Sequence, residues 1–283
     1  VTLILPTAGV LRSETLKALS VKTWWALAIP VAALALTVNV FGGLFGAAAG
    51  GLVDDGVPGI LLASLAYALS LAGVFAAVQG VVLASAEFRH RTVSGTYLLG
   101  GRGPVLLAKG AVAAGIGAGY ALVTAVVGLL AGLLGQGAAR LPSVWPLLGV
   151  IGSGIAVCAL WAVLGVALGT VVVHQAGAVV ALLLWVLVIE NLVSLVLRSG
   201  ADSDRAPGVL ARITSYLPAN AGDIALYDLP ARALGGRFGP SIVETLAGVA
   251  GPPPGWGALL VLLVWTGAAV ALAHVVGERR DIT

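Results

Sequence analysis

Charge is what this sequence has least of. Only 10% of its 283 residues are Asp, Glu, Lys or Arg, against roughly 25% in an ordinary soluble chain. From Leu141 to Ile189 there are 49 residues without one of them. As one helix that stretch would reach about 73 Å, more than twice the roughly 30 Å hydrocarbon core of a bilayer. It reads as two spans joined by a turn at Val173, His174, Gln175, Ala176 and Gly177, where polar groups and a glycine interrupt the apolar run. Cysteine is nearly missing too. Cys158 stands alone, which excludes an intramolecular disulfide and leaves a small buried hydrophobe inside a span. Histidine is scarce: His90, His174 and His274 have no ligand spacing and form no H-E-x-x-H, so no metal site is expected. No Ser, His and Asp set shares one depth, so no catalytic residues are expected either. Methionine is absent and position 1 is Val, as expected of a high-GC bacterial gene read from a GTG start.

What is present is apolar length. Charge-free windows also run from Thr23 to Val53, Gly56 to Ala86, Gly110 to Ala139 and Thr245 to Gly277, each at least 30 residues and enough for one tilted span. The expectation is an all-α integral membrane protein, a single domain over residues 1–283. Its six transmembrane helices fall near 24–46, 60–84, 110–134, 146–171, 178–197 and 257–276. A mean hydropathy of +1.07 agrees, because backbone polar groups in lipid must bond internally as helix. The 40 glycines suit helices that approach through small residues, with Gly115 and Gly119, and Gly165 and Gly169, as candidate contact pairs, although spacings of this kind also arise by chance in so glycine-rich a chain.

The basic residues set an orientation. Arg12, Lys17, Lys22, Arg89, Arg91, Arg102, Lys109, Arg279 and Arg280 all fall on one face of a six-span chain, whereas the two short loops opposite carry only Arg140. By the excess of Lys and Arg in cytoplasmic loops, both termini are expected in the cytoplasm of a bacterial cell, with the chain in its plasma membrane. The net charge of +3 reflects this topology, and no basic run interleaved with aromatics points to nucleic acid. Before the first span, residues 10–22 place Ser13, Glu14, Lys17 and Ser20 on one helical face and Leu11, Leu16, Ala18 and Leu19 on the other. That pattern predicts an interfacial helix lying on the bilayer ahead of Trp24 and Trp25.

The loop between the second and third spans carries Glu87, Arg89 to Arg91, Thr92 or Thr96, the pair Leu98 and Leu99, Arg102, and Ala108 followed by Lys109. This order of residues resembles the intracellular loop of ABC-2 type permeases, the membrane subunits of a class of bacterial ABC exporters. Two positions depart from that pattern: Arg91 stands where members often have Gly, and Gly101 where they often have Pro. The resemblance covers essentially the whole chain, since Glu14 and Lys17 precede a Trp-bearing first span and a long segment, residues 199–256, precedes the last. It looks most like the actinobacterial drug and antibiotic exporter permeases.

The resemblance implies a cytoplasmic coupling helix between spans two and three. It also implies short re-entrant outer helices between spans five and six that close the exit of the pathway. Glu87, Arg89, Arg91, Thr96, Tyr97, Arg102 and Lys109, with Glu14 and Lys17, would then form the coupling surface; the plainer reading of the basic residues is attachment to anionic lipid. The sequence has no G-x-x-x-x-G-K-[ST], so it is expected to be no enzyme, with no cofactor of its own. ATP and Mg would be bound by a separate ABC ATPase subunit in two copies, beside a second permease copy.

Glu190 is the sharpest residue, an acid within span five, where a charge costs roughly 2.5 to 3.5 kcal/mol unless it faces protein or water. Three readings stand open: a substrate or proton contact, a structural partner for an outer arginine such as Arg198 or Arg212, and a group snorkelling outward. Asn191 and Gln79 join it as candidates for the translocation pathway. In the outer segment, Ser241 to Glu244 reads as a capping box, and helices are expected over residues 209–216 and 220–227. The alternative function is an ion-coupled carrier with Glu190 as its proton or substrate site, although residues 1–140 and 141–283 show no internal symmetry of the kind such carriers have. A mostly aliphatic pathway suits an amphipathic or hydrophobic cargo, a drug, antibiotic or lipid.

Overall fold

The computed structural model describes residues 6–50, 58–89, 93–136, 142–199 and 208–280, and every regular element among them is helical. In chain order these are α1 (Ala8–Ser20), α2 (Thr23–Gly50), α3 (Pro58–Arg89), α4 (Val93–Gly100), α5 (Arg102–Gln136), α6 (Val144–Val172) and α7 (Gln175–Leu184). A π-turn at Trp185–Ile189 leads into α8 (Glu190–Ser199), followed by α9 (Val209–Ile213), α10 (Pro218–Gly235), α11 (Gly239–Ala247) and α12 (Gly255–Arg279). Six continuous helical runs are long and apolar enough to cross a bilayer: Thr23–Ala48, Gly59–Arg89, Arg102–Gly135, Val144–Val172, Gln175–Arg198 and Gly255–Arg279. The chain is built as a multi-pass membrane protein.

Two of the runs are longer than their charge-free windows. The second helix extends to Arg89 rather than ending near 84, and the third begins at Arg102 rather than 110. Glu87 and Lys109 therefore stand on helices, not in a loop. Helix need not stop at a charge that an opposite charge neutralises.

The packing is centred on α3 and α6. In its most apolar stretch α3 is 56% buried, against 17% for Gln175–Arg198 and for α12, so the latter two face outward over most of their surface. Outward-facing Leu187, Val188, Leu195, Leu260 and Val264 are apolar, as a lipid-facing surface requires. At the α3–α6 crossing a Cβ on Gly165 would stand 2.0 Å from the Ala77 carbonyl oxygen, and one on Gly80 2.0 Å from that of Ala162. Gly169 meets Val81 in the same way, at 2.7 Å. Small residues thus let two backbones touch. Gly115 and Gly119 have the same spacing but meet nothing within 4 Å among the described residues, so no helix of this chain packs on them.

The hairpin between α6 and α7 is tighter than the five residues expected. Val173 alone turns the chain, at φ 65 and ψ −41, inside a γ-turn closed by His174 N–H donating to the Val172 carbonyl at 2.7 Å. His174 then caps α7, its Nδ1 accepting from Gly177 N at 3.0 Å. A β-branched residue at positive φ is strained by about 1 to 3 kcal/mol. Val173→Gly is expected to relieve that strain and, after the entropy cost of glycine, to stabilise the fold by about 1 kcal/mol. Thermal unfolding in detergent measures it; an unchanged or lower melting temperature would show that the turn is not strained.

Beyond α8 the short helices pack back on the bundle, with α10 seated against α3, α6 and α12. The helices expected over 209–216 and 220–227 exist, although the second runs the full length of α10 and tolerates Pro230. The capping box does not form. α11 starts earlier, at Gly239 and Pro240, which leaves Ser241 inside the helix and frees Glu244 Oε1 to accept from Gly251 N at 2.8 Å. Trp145 and Trp256 stand exposed in the first turns of α6 and α12, at the same end as these short helices.

Candidate functional site

At the end of the bundle that carries α1 and α4, four charged side chains from three helices meet. α1 buries Glu14 and Ala18, each 1% exposed, while Leu16 and Leu19 face out. Lys109 of α5 donates to Glu14 Oε2 at 2.6 Å and lies 2.9 Å from Glu87 Oε1 of α3. Lys17 donates to Glu14 Oε1 at 2.6 Å and to the same Glu87 oxygen at 2.9 Å. Its third hydrogen bond, 3.1 Å to Thr96 Oγ1, ties in α4. Two carboxylates and two ammonium groups neutralise one another, which is what lets them sit at the end of a spanning helix.

The pairs are unequal in weight. Lys109 and Glu14 are dry, with side chains 6% and 1% exposed, whereas the Lys17 side chain is 43% exposed and partly screened by water. Burial alone would lower the pKa of the Lys17 ammonium, but hydrogen bonds to Glu14 and Glu87, and their charges, outweigh it and hold the group above the ordinary lysine range. Tyr97, which the resemblance puts in the coupling surface, is half-buried. Burial first, and then the Glu87 charge, raise its phenol above the usual value against the pull of Arg102 and Arg280. It is therefore neutral at physiological pH.

The arginines serve helix ends. Arg102 Nη1 donates to the carbonyls of Gly277 and Glu278, at 2.7 and 2.8 Å, where α12 ends. Arg280 does the same for α6, bonding the carbonyls of Thr170 and Val171 at 3.2 and 3.0 Å. Cations are favoured there because the last turn of a helix presents unpaired carbonyls and a negative dipole end. Arg89 reaches Gln175 Oε1 at 3.5 Å, across to α7. Arg91 lies outside the described residues.

A cavity of about 350 Å³ opens beside the cluster, lined by Glu14, Lys17, Gln79, Glu87, Thr96 and Lys109 together with Val82, Leu83 and Ala86. Gln79 Oε1 and Glu87 Oε2 are buried without a hydrogen-bond partner among the described residues. The sequence placed Gln79 in the pathway and Glu87 in the coupling loop. The structure puts them on one wall.

At the other end, Glu190 is 1% exposed and both its oxygens are engaged. Oε1 accepts from the backbone N–H of Asn220 at 2.8 Å, in the first turn of α10, and Oε2 from Trp185 Nε1 at 3.0 Å. The carboxylate caps the positive end of α10. It pairs with neither Arg198 nor Arg212 among the described residues. The π-turn makes this geometry, because the Glu190 N–H bonds five residues back to the Trp185 carbonyl and so brings both side chains to one face. Asn191 Nδ2 donates to the carbonyls of Val186 and Leu187, at 3.0 and 3.3 Å, which the turn has loosened. Sequence reading missed the second acid here. Asp223 of α10 accepts from Ser70 Oγ of α3 at 2.5 Å and shares a cavity of about 270 Å³ with Glu190 and Asn220. Only the capping by Glu190 could have brought it into view, since nothing local marks Asp223.

No group of three or more His, Cys, Asp or Glu placed to hold a metal ion occurs among the described residues. No protein-family model matches this chain, and no curated protein matches it significantly.

Proposed function

We propose that this chain is the permease subunit of an ABC exporter, working with a second permease copy and with ATP-hydrolysing subunits that are separate polypeptides. The observation that carries the reading is the neutral charge cluster. Through Lys17 and Thr96 it fastens α4 to α1, α3 and α5, so that force applied to α4 moves two spanning helices together. The basic residues described toward this end, Arg12, Lys17, Lys22, Arg89, Arg102, Lys109, Arg279 and Arg280, support a cytoplasmic position for it and for both termini, with α1 lying on the inner membrane surface, its leucines toward lipid.

Leu98 supports a docking role for α4, since it is 86% exposed on a helix whose neighbouring Thr96 is tied to the cluster. The other end supports an outer closure. Ser70, which holds Asp223, lies about 18 Å along α3 from Pro58, so α10 reaches well below the outer surface and is read as re-entrant. The cargo is an amphipathic or hydrophobic molecule. With its oxygens committed to Trp185 and α10, Glu190 offers little to the alternative of an ion-coupled carrier.

The test is Leu98→Glu, a surface change that leaves the charge cluster intact. The expected result is a folded permease that no longer co-purifies with the ATPase encoded beside it and loses at least nine-tenths of ATP-dependent efflux from vesicles. Wild-type efflux that survives removal of the ATPase and stops with a protonophore would replace this reading with the carrier.

A further inference from the structure

The cavity beside Gln79 and Glu87 holds two buried oxygens that have no hydrogen-bond partner among the described residues. All three hydrogens of the Lys17 ammonium are spent, on Glu14, Glu87 and Thr96. Lys109 is held between Glu14 and Glu87. Two buried acceptors are left without a partner among the described residues: Glu87 Oε2, whose partner oxygen already takes both lysines, and Gln79 Oε1, on a side chain 1% exposed. A buried acceptor without a partner costs about 1 to 3 kcal/mol, so both oxygens favour a donor from outside the chain. Between them the wall is apolar, formed by Val82, Leu83 and Ala86, and Ala18 of α1 and the exposed Val21 just past its end also line the cavity. Glu87 stands eight positions after Gln79, about 12 Å of helix rise, so the donor groups are spread along an apolar body.

We infer that this cavity binds an amphipathic molecule with a protonated amine, the ammonium donating to Glu87 Oε2 and a second N–H or O–H donor meeting Gln79 Oε1. An anionic headgroup does not suit the free oxygen of Glu87, because it would set a second negative charge beside a carboxylate oxygen that needs a hydrogen. The four charges of the cluster cancel, so the arriving cation is attracted by the unshared oxygen at short range and not by a net field. The inference does not depend on the export reading, since it concerns binding by the chain alone.

The probe is 6-aminohexan-1-ol, titrated calorimetrically into the purified chain in nanodiscs, with hexane-1,6-diol and hexyl phosphate as comparisons. The amino alcohol is expected to bind at least tenfold more tightly than either. Glu87→Gln is expected to weaken it tenfold or more, but Glu87 also holds two lysines, so the deciding variant is Gln79→Leu. Its oxygen bonds nothing in the described chain, so its loss should raise the melting temperature of the unliganded protein while lowering affinity for the amino alcohol about tenfold. A merely structural glutamine would not move the two in opposite directions. Competition by phosphatidylethanolamine but not phosphatidylglycerol nanodiscs would identify the amine as a lipid headgroup, and its absence a soluble amphiphile. Equal binding of the diol, or unchanged affinity in Gln79→Leu, would overturn the inference and leave a water-filled cavity only.

Discussion

Gly165→Val is expected to abolish accumulation of the folded chain. The Cβ that any other residue brings to position 165 would lie 2.0 Å from the carbonyl oxygen of Ala77 and 2.8 Å from its carbon. Overpacking in a core typically costs about 1 to 3 kcal/mol when side chains can move aside. Here the obstacle is the backbone of α3, and no rotamer change relieves it. The helices must separate, and with them the most extensive contact in the bundle, so the cost exceeds about 3 kcal/mol out of a total stability of about 5 to 15. Gly115→Val is the comparison, in another spanning helix but with nothing within 4 Å among the described residues, and it should stay within about 0.5 kcal/mol of the parent. Size-exclusion profiles and melting in detergent measure both. Equal behaviour of the two variants would show that the α3–α6 approach is looser than this geometry.

The same pair of glycine motifs shows how far the sequence is legible. Charge-free length counts the spans because it follows from bilayer thickness, a property of the solvent, and the six runs appear in the expected order. Which face of a span meets a neighbour is set by the other helices, so Gly165 with Gly169 and Gly115 with Gly119 look alike until the fold separates them. Glu14 and Lys17 were legible as a pair because three residues apart is one helical face. The stronger partner of Glu14 is 95 positions away, at Lys109, and only folding brings it there. Glu190 was legible as a buried acid needing a partner. An outer arginine was one of three readings, but a carboxylate inside a bundle is also satisfied by a helix N-terminus and an indole. The π-turn that swings Trp185 round to it leaves no mark in composition or periodicity. The capping box failed for a related reason. Proline at the first turn of α11 starts the helix two residues before Ser241, and a hydroxyl inside a helix caps nothing.

The charge cluster gives the second large effect, and its sign depends on whether one partner or both are removed. Lys109→Ala leaves Glu14, 1% exposed, facing only the partly hydrated Lys17, and leaves Glu87 short of its closest dry cation. Removing one member of a buried pair costs about 3 to 5 kcal/mol because the other charge remains buried without compensation. Lys17→Ala should cost less than about 1 kcal/mol, as that side chain is 43% exposed. Its pKa is raised on folding, so what it contributes is present below the unfolded value of about 10.4 and is lost as pH rises through the higher folded one. The double change Glu14→Leu with Lys109→Met removes the dry pair together and replaces it with apolar groups of similar volume. It leaves Glu87 with Lys17, and near-parental stability is expected. Melting curves of the three variants test this ranking. A double variant as unstable as Lys109→Ala would show that the ions act through packing and not through mutual compensation. If the double variant is stable, it also separates folding from force transmission. The export reading requires the ties between α1, α3 and α5, so a folded double variant should lose ATP-driven efflux. One that transports at the parental rate would mean that the cluster holds the end of the bundle together and transmits nothing.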